Sequence, residues 1–451
     1  MNLNTVDPAW AWSAFEPSGE SPWNRAAAAH LFRRVGFGAS SRELDEAVAR
    51  PPDEVARQLV RGERASPSVA RDFEALADTV AASNNPEGLA AWWLHRMLHT
   101  TDPALEKFTL FWHGHFATSA AKVREADLML AQNRMFRTRA CGPFEKLVQA
   151  VSRDPAMLLY LDSATNRKVR PNENYAREVM ELFCLGLDNY TERDIQQTAR
   201  AFTGWEVRNG KFKFNAFQHD TREKTIFGQR GNFDGDEAVR IILAQPAAAR
   251  FIALKLFRFY VCDEPAPRPE LVEPLATMLR ENDFQIGPVV ERIAGSQLFF
   301  SRLARGRKVR GPVDLAMNVL KALETTTNTK RLFSDLSALG QGVLYPPNVK
   351  GWDGGRAWLN SSTLLGRANL VRRLVDDSKD RFAGGDLAAL VEKHANSPTQ
   401  AVDWLAELLL AAPIGDEARN TLAEVAQNKD KPRGCANLVH ALATLPEFQL
   451  G

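Results

Sequence analysis

"RPNENYAREVMELFCLG", residues 170–186, is the stretch on which the fold turns. It begins with capping residues and stops at Gly186, the pattern of a short helix. At about 100° per residue, Asn174, Arg177, Glu178 and Glu181 fall within roughly a 100° arc. Tyr175, Ala176, Val179, Met180, Leu182, Phe183 and Cys184 cover most of the remaining circumference. A surface helix usually shows an apolar stripe about as wide as this polar one. Here the proportions are reversed, so the helix is expected to be buried on most sides. The polar row is then either a solvated structural face or the wall of an internal site. Glu173 and Arg177 are also spaced for an i,i+4 ion pair worth about 0.3–0.5 kcal/mol.

Helical signals continue in both directions. "AAAAHLFRRVGFG" ends at Gly36, and "SSRELDEAVAR" starts with a Ser cap and stops before Pro51. Pro103 suits the first position of "ALEKFTLFWHGHF". "TERDIQQTARAFTGW" begins with Thr191 and an acid three residues on, a variant of the capping box. One segment breaks the rule: "EVRNGKFKF" places Asn209-Gly210 between short alternating runs, the strongest short-range hairpin signal. Phe212 and Phe214 then face one side, Lys211 and Lys213 the other. "DEPAPRPE" (263–270) is the best linker candidate. The fold expected is mainly α, a large multi-helix globular fold with one small β-hairpin excursion. It divides into 1–262, with a hairpin near 206–217 and the candidate polar site, and 268–451, with a long Pro/Gly/Trp loop (345–362). One continuous domain is the alternative.

The bulk properties set limits. Hydrophobic residues at 45% and charged residues at 25% are the composition of a soluble globular protein. A net charge of +2 makes no case for nucleic acid as partner. No apolar run approaches the roughly 20 residues of a membrane helix, so no membrane span is expected. The N-terminus lacks the basic start and apolar core of a secretory signal, which makes a cytoplasmic location the default. Cys141, Cys184, Cys262 and Cys435 form no CxxC and are expected to be free thiols.

Several constellations could carry chemistry. "FWHGHF" (111–116) sets His113 and His115 two residues apart, about 200° on a continuing helix. Gly114 makes a helix end plausible, and an extended His-x-His would put both imidazoles on one side, where a divalent metal accepts them with carboxylates. Otherwise each imidazole is a hydrogen-bonded core residue. "FQHDTREK" (217–224) holds His219-Asp220, an oriented base, a ligand pair or a plain turn. "YPPNVKGWDGGRAWLNSS" (345–362) offers Trp352 and Trp358 beside Asn348, Asp353, Arg356 and Asn360, which would suit stacking on a sugar ring; the alternative is a loop pinned over the core. "SRLARGRKVRGP" (301–312) could meet phosphates but is expected to be a solvated helix end. No P-loop, GxGxxG with its acid, GxSxG or HExxH occurs.

Together "HLFRRVGFGAS", "EKFTLFWHGHFATS", "QNRMFR", "DPAMLLYLD", "PNENYAREVMELFCLG", "YTERDIQQTARAFTGW", "HD...K" and "PPNVKGWDGG" occur in one order over about residues 26 to 375 or further. In that set the chain closely resembles a bacterial family known as domain of unknown function 1800. The family's strongest motifs match His113, His115, Asn172, Glu173, Asn174, Tyr175, Arg177, Glu178, Glu181, Trp205, His219 and Asp220. The resemblance carries no settled activity. It implies that members are often exported, making a periplasmic location the alternative, and that their genes neighbour a sulfatase-like family, a candidate co-encoded partner.

The expectation drawn is a polar cavity between the helix ending near His115 and the helix of Glu178 and Glu181, closed by the 206–224 region. In one chemistry His113, His115, Glu178 and His219 hold a divalent metal that activates water, with Glu181 or Asp220 as base. In another, Glu178 and Glu181 are an acid/base pair on a glycosidic bond, Arg177, Trp352 and Trp358 binding a carbohydrate substrate. Their i,i+3 spacing is awkward for flanking a bond, so Asp220 or Asp353 would have to serve as the second carboxylate. Against both enzyme readings stands a non-catalytic helical binding or assembly partner, its polar row a buried network that fixes packing.

Overall fold

The computed structural model describes residues 3–63, 65–377, 379–427 and 430–451. Among them are twenty-six α-helices and two antiparallel two-stranded sheets, so the fold is mainly α. Proline opens helix after helix, at Pro52, Pro67, Pro86, Pro103, Pro246, Pro269, Pro312 and Pro398. At a first helical position its missing N–H costs nothing and its fixed φ is already helical. The Thr191–Asp194 capping box forms in both directions, with the Asp194 N–H on Thr191 Oγ1 at 3.2 Å and the Thr191 N–H on Asp194 Oδ2 at 3.0 Å.

The molecule is organised around the Pro103–His115 helix, which is buried on nearly every side. It packs against Arg25–Val35, Pro52–Arg61, Pro86–His99 and Ala126–Arg139. Phe108, Trp112 and Phe116 supply its apolar contacts, and the Trp112 indole N–H donates to the Ala140 carbonyl at 2.8 Å. One apolar cluster runs from Leu3 to Phe448 and crosses the 263–270 stretch.

The expected hairpin is present: β1 (Trp205–Arg208) pairs with β2 (Lys211–Phe214), Trp205 opposite Phe214 and Arg208 opposite Lys211. Its turn residues Asn209 and Gly210 both have positive φ, +51° and +68°, as a two-residue type I′ turn requires. A second hairpin, β3 (Lys224–Ile226) with β4 (Gln229–Gly231), follows around Phe227-Gly228. The basic run, expected as a solvated helix end, follows the Gln297–Phe300 helix and leads into Pro312–Ala322 as turns and irregular chain, and Arg310 within it is buried rather than solvated.

The 170–186 stretch is helical in two registers. An α-helical turn, Asn174–Glu178, passes directly into a π-helical one, Val179–Cys184, seen in the Leu185 N–H donating to the Met180 carbonyl at 2.8 Å. Gly186, at φ +81°, ends it. Tyr175, Ala176, Val179, Met180, Phe183 and Cys184 are buried as the spacing predicts.

Candidate functional site

The polar row is a surface network. Asn174 is exposed and Arg177, Glu178 and Glu181 are half-buried. Arg177 donates to both carboxylate oxygens of Glu192 at 2.8 Å, with Glu173 at 3.5 Å, and Tyr190 OH donates to Glu181 at 2.8 Å. These bonds tie the helix to the start of Glu192–Ala201. Burial, and then the neighbouring Glu181, raise the Glu178 carboxyl above its ordinary value.

Nor do the histidines converge on that row. The Pro103–His115 helix continues through Gly114, so His113 and His115 project about 200° apart. His113 Nε2 accepts the Leu344 N–H at 3.1 Å, which uses the lone pair a metal would need. His115 Nε2 faces the Phe183 carbonyl at 2.9 Å; a carbonyl only accepts, so this nitrogen carries the proton. Burial pushes both imidazoles down to about 3, Lys255 adding to the effect at His115. The space expected to be a cavity is filled with rings: Phe116 at 4.5 Å from His115, then Phe183 and Phe144 at 6.1 and 6.2 Å.

The His219-Asp220 pair is a clamp. His219 Nδ1 donates to the Thr203 carbonyl at 2.9 Å. Asp220 takes Arg222 Nη2 at 2.7 Å and Arg200 Nε at 2.8 Å, and Arg222 and Arg200 hold its carboxyl well below the usual range. A carboxylate so held is a poor base. Among the described residues no group of three or more His, Cys, Asp or Glu could hold a metal ion. Glu178, Glu181 and Asp220 are not among the residues that line the cleft holding Trp352 and Trp358.

What the His-Gly-His segment does is seat the Pro/Gly/Trp loop. Gly351 lies on the Gly114 backbone so closely that a Cβ on it would sit 2.1 Å from the Gly114 carbonyl oxygen, and its φ is +82°. Only glycine fits there. Trp352 then packs edge-on against His113, ring centroids 5.5 Å apart. Two family motifs 231 residues apart, joined by the His113–Leu344 bond, make one joint.

Beneath that loop opens a cleft of about 550 Å³, walled by Trp352 and Trp358 and by Phe111, His115 and Phe259 of the neighbouring helices. Pockets of this size suit small ligands. Its charges are sorted. Lys308 pairs with Asp263 at 2.7 Å, Lys350 with Asp353 at 2.7 Å and Arg356 with Glu264 at 2.8 Å. Lys255 and Arg258, also in the wall, form no ion pair among the described residues. Burial, then the Arg258 and Lys350 charges, lower the Lys255 ammonium below its ordinary value. Two buried atoms of the wall residues lack a protein partner: Trp352 Nε1, a donor, and His115 Nδ1, which with the proton on Nε2 is an acceptor. Lys255 and Arg258 escape sequence reading because "LKLFRF" is an ordinary amphipathic helix pattern until its tertiary neighbours are known.

The fold and cleft define a large helical protein with a tryptophan-walled cleft that carries several lysines and arginines. The chain belongs to the family described as "Protein of unknown function (DUF1800)", whose model matches residues 30–450. No curated protein and no solved structure matches it.

Proposed function

We propose that the protein binds an acidic carbohydrate in the cleft under the Pro/Gly/Trp loop. The observation that carries this reading is the combination of Trp352 and Trp358 with the unpaired Lys255 and Arg258. Indole faces stack on the apolar faces of sugar rings, and unpaired cations attract carboxylate or sulfate substituents. The glutamate pair once expected to cleave a glycosidic bond lies outside this cleft, so recognition without bond cleavage is favoured. Tryptophan fluorescence titration with uronate-containing and neutral oligosaccharides tests the reading. Saturable binding of the acidic series, weakened at least tenfold in Trp352→Ala and in Lys255→Gln, is expected. Equal or absent response to both series would end the proposal.

A second reading, attachment to a co-encoded sulfatase-like protein, is favoured by a separate observation. Val169 and Phe217 are 85% and 86% exposed, and their loops are joined by the Lys168 N–H on the Gln218 carbonyl at 2.9 Å. Adjacent exposed apolar side chains of this kind mark contact surfaces. Co-purification of the two proteins that is lost in Phe217→Asp would support it, and recovery unchanged by that substitution would oppose it.

A further inference from the structure

Behind the cleft, sharing Lys308, Val309, Asp314 and Phe259 with it, lies a smaller, partly closed cavity with about 20 Å³ of room for the centre of a water molecule. That is enough for one to a few waters or one small ion. Its walls are cationic. Arg33, Arg34, Lys107 and Arg310 line it and are 7%, 3%, 3% and 4% exposed. Fully buried Arg367 stands immediately behind, donating to the Arg310 carbonyl at 2.7 Å. Asp314 is the one acidic side chain in the wall, and it is taken by Lys107.

The four arginines form no ion pair among the described residues. They donate instead to neutral acceptors: Arg33 to the Leu408 carbonyl at 3.3 Å, Arg34 to those of Val261 and Ala304 at 2.8 and 2.6 Å, and Arg310 to Asn318 Oδ1 and the Leu409 carbonyl, both at 2.8 Å. Several N–H groups are left over: Arg33 Nε, Arg34 Nε and Nη1, Arg310 Nε and one Asn318 amide nitrogen are buried with no partner. A guanidinium cannot shed its proton to escape burial. An uncompensated buried charge costs several kcal/mol, and an unmet buried donor adds to that.

From these orphaned donors, their buried charge and the room they enclose, we infer that the cavity is a site for one small inorganic anion, chloride or a tetrahedral oxyanion such as phosphate or sulfate. The anion completes the charge balance of the Arg25–Val35, Pro103–His115 and Pro312–Ala322 helices where they meet. The basic run at 301–312 is thereby put to use: it carries Lys308 and Arg310 inward. This inference does not depend on what occupies the cleft.

The test has a solution arm and a crystal arm. Thermal unfolding is followed at fixed ionic strength while gluconate is exchanged for chloride, sulfate or phosphate. A ligand that binds only the folded state raises Tm with saturation. A saturable rise of several degrees is expected for the wild type and for Arg177→Ala, whose substitution is remote, and none for Arg34→Gln. Which anion acts at the lowest concentration separates chloride from the oxyanions. Bromide soaked into crystals of the wild type should give an anomalous peak among Arg34, Arg310 and Lys107, which decides the matter should Arg34→Gln not fold. A cavity filled only by water, or bromide in the crystal with no saturable response in solution, overturns the inference.

Discussion

Two regions of the same helix handle buried arginine in opposite ways. At one face of Pro103–His115, Glu106 gathers Arg96 Nε at 2.7 Å, Arg137 Nε at 2.6 Å and Nη2 at 2.9 Å, and the Trp93 indole at 2.9 Å. Glu106 is buried, yet its carboxyl stays below the ordinary value because Arg137 and Arg96 outweigh the burial that would raise it. At the other face Arg33, Arg34 and Arg310 surround a cavity with carbonyls and one amide for partners. The first is a knot tied on a carboxylate, with Arg137 Nη1 and Asn133 Nδ2 left without a partner; the second lines a space with guanidiniums that have no carboxylate partner among the described residues. The difference teaches that buried charge by itself does not mark a site. What marks it is the charge and hydrogen-bonding capacity left over after the protein's own partners are counted.

The comparison breaks most readily at the knot. Glu106→Ala leaves Arg137 buried without its acid, while Arg96 keeps Glu74, and is expected to cost about 3–5 kcal/mol of stability, read by urea denaturation. A cost below about 1 kcal/mol would mean the knot is no tighter than a surface pair.

Asp154 supplies a third case, a buried carboxyl without a cation. Burial pushes it up to about 7, against the lowering effect of the Met157 N–H at 2.9 Å and Gln132 Nε2 at 2.6 Å. Its unfolded value is about 3.9. Between these values the unfolded chain has released a proton that the folded protein still holds. Stability therefore falls as pH rises from about 4 to about 7 and is flat above, a loss on the order of 4 kcal/mol. Asp154→Asn should flatten that slope in a pH series of denaturation curves; an unchanged slope would assign it to other groups.

A smaller effect, about 1–3 kcal/mol, is expected from Gly351→Ala, which forces a Cβ onto the Gly114 carbonyl at positive φ. The tryptophan loop should detach and cleft binding should fall with it. Loss of stability with binding intact would separate the joint from the cleft. The smallest effect is at the polar row: Arg177→Ala removes a surface ion pair with Glu192 and should change stability by less than about 1 kcal/mol in the same denaturation assay.

What was legible in the sequence was local. The proline starts, the Thr191 box and the Asn209-Gly210 turn are each set by neighbours along the chain, and each is where its pattern puts it. The second hairpin was not legible because its strands are three residues long and Phe227 is no turn former. At the site, Trp352 and Trp358 could be singled out by type, and both line the cleft. His113 and His115 project apart from the last turn of their helix, which ends at His115, and Gly114 between them serves as a landing for Gly351. The basic run looked solvated because nothing local shows that Arg310 turns inward. These outcomes depend on segments hundreds of residues apart, which periodicity does not encode.

We assign ligand recognition to the tryptophan cleft and not to the glutamate row. Parallel calorimetric titrations of one acidic oligosaccharide into wild type, Lys255→Gln/Trp352→Ala and Glu178→Gln/Glu181→Gln test it most directly. The account predicts binding at least tenfold weaker in the cleft variant and unchanged in the row variant. Binding lost in the row variant and kept in the cleft variant would contradict it.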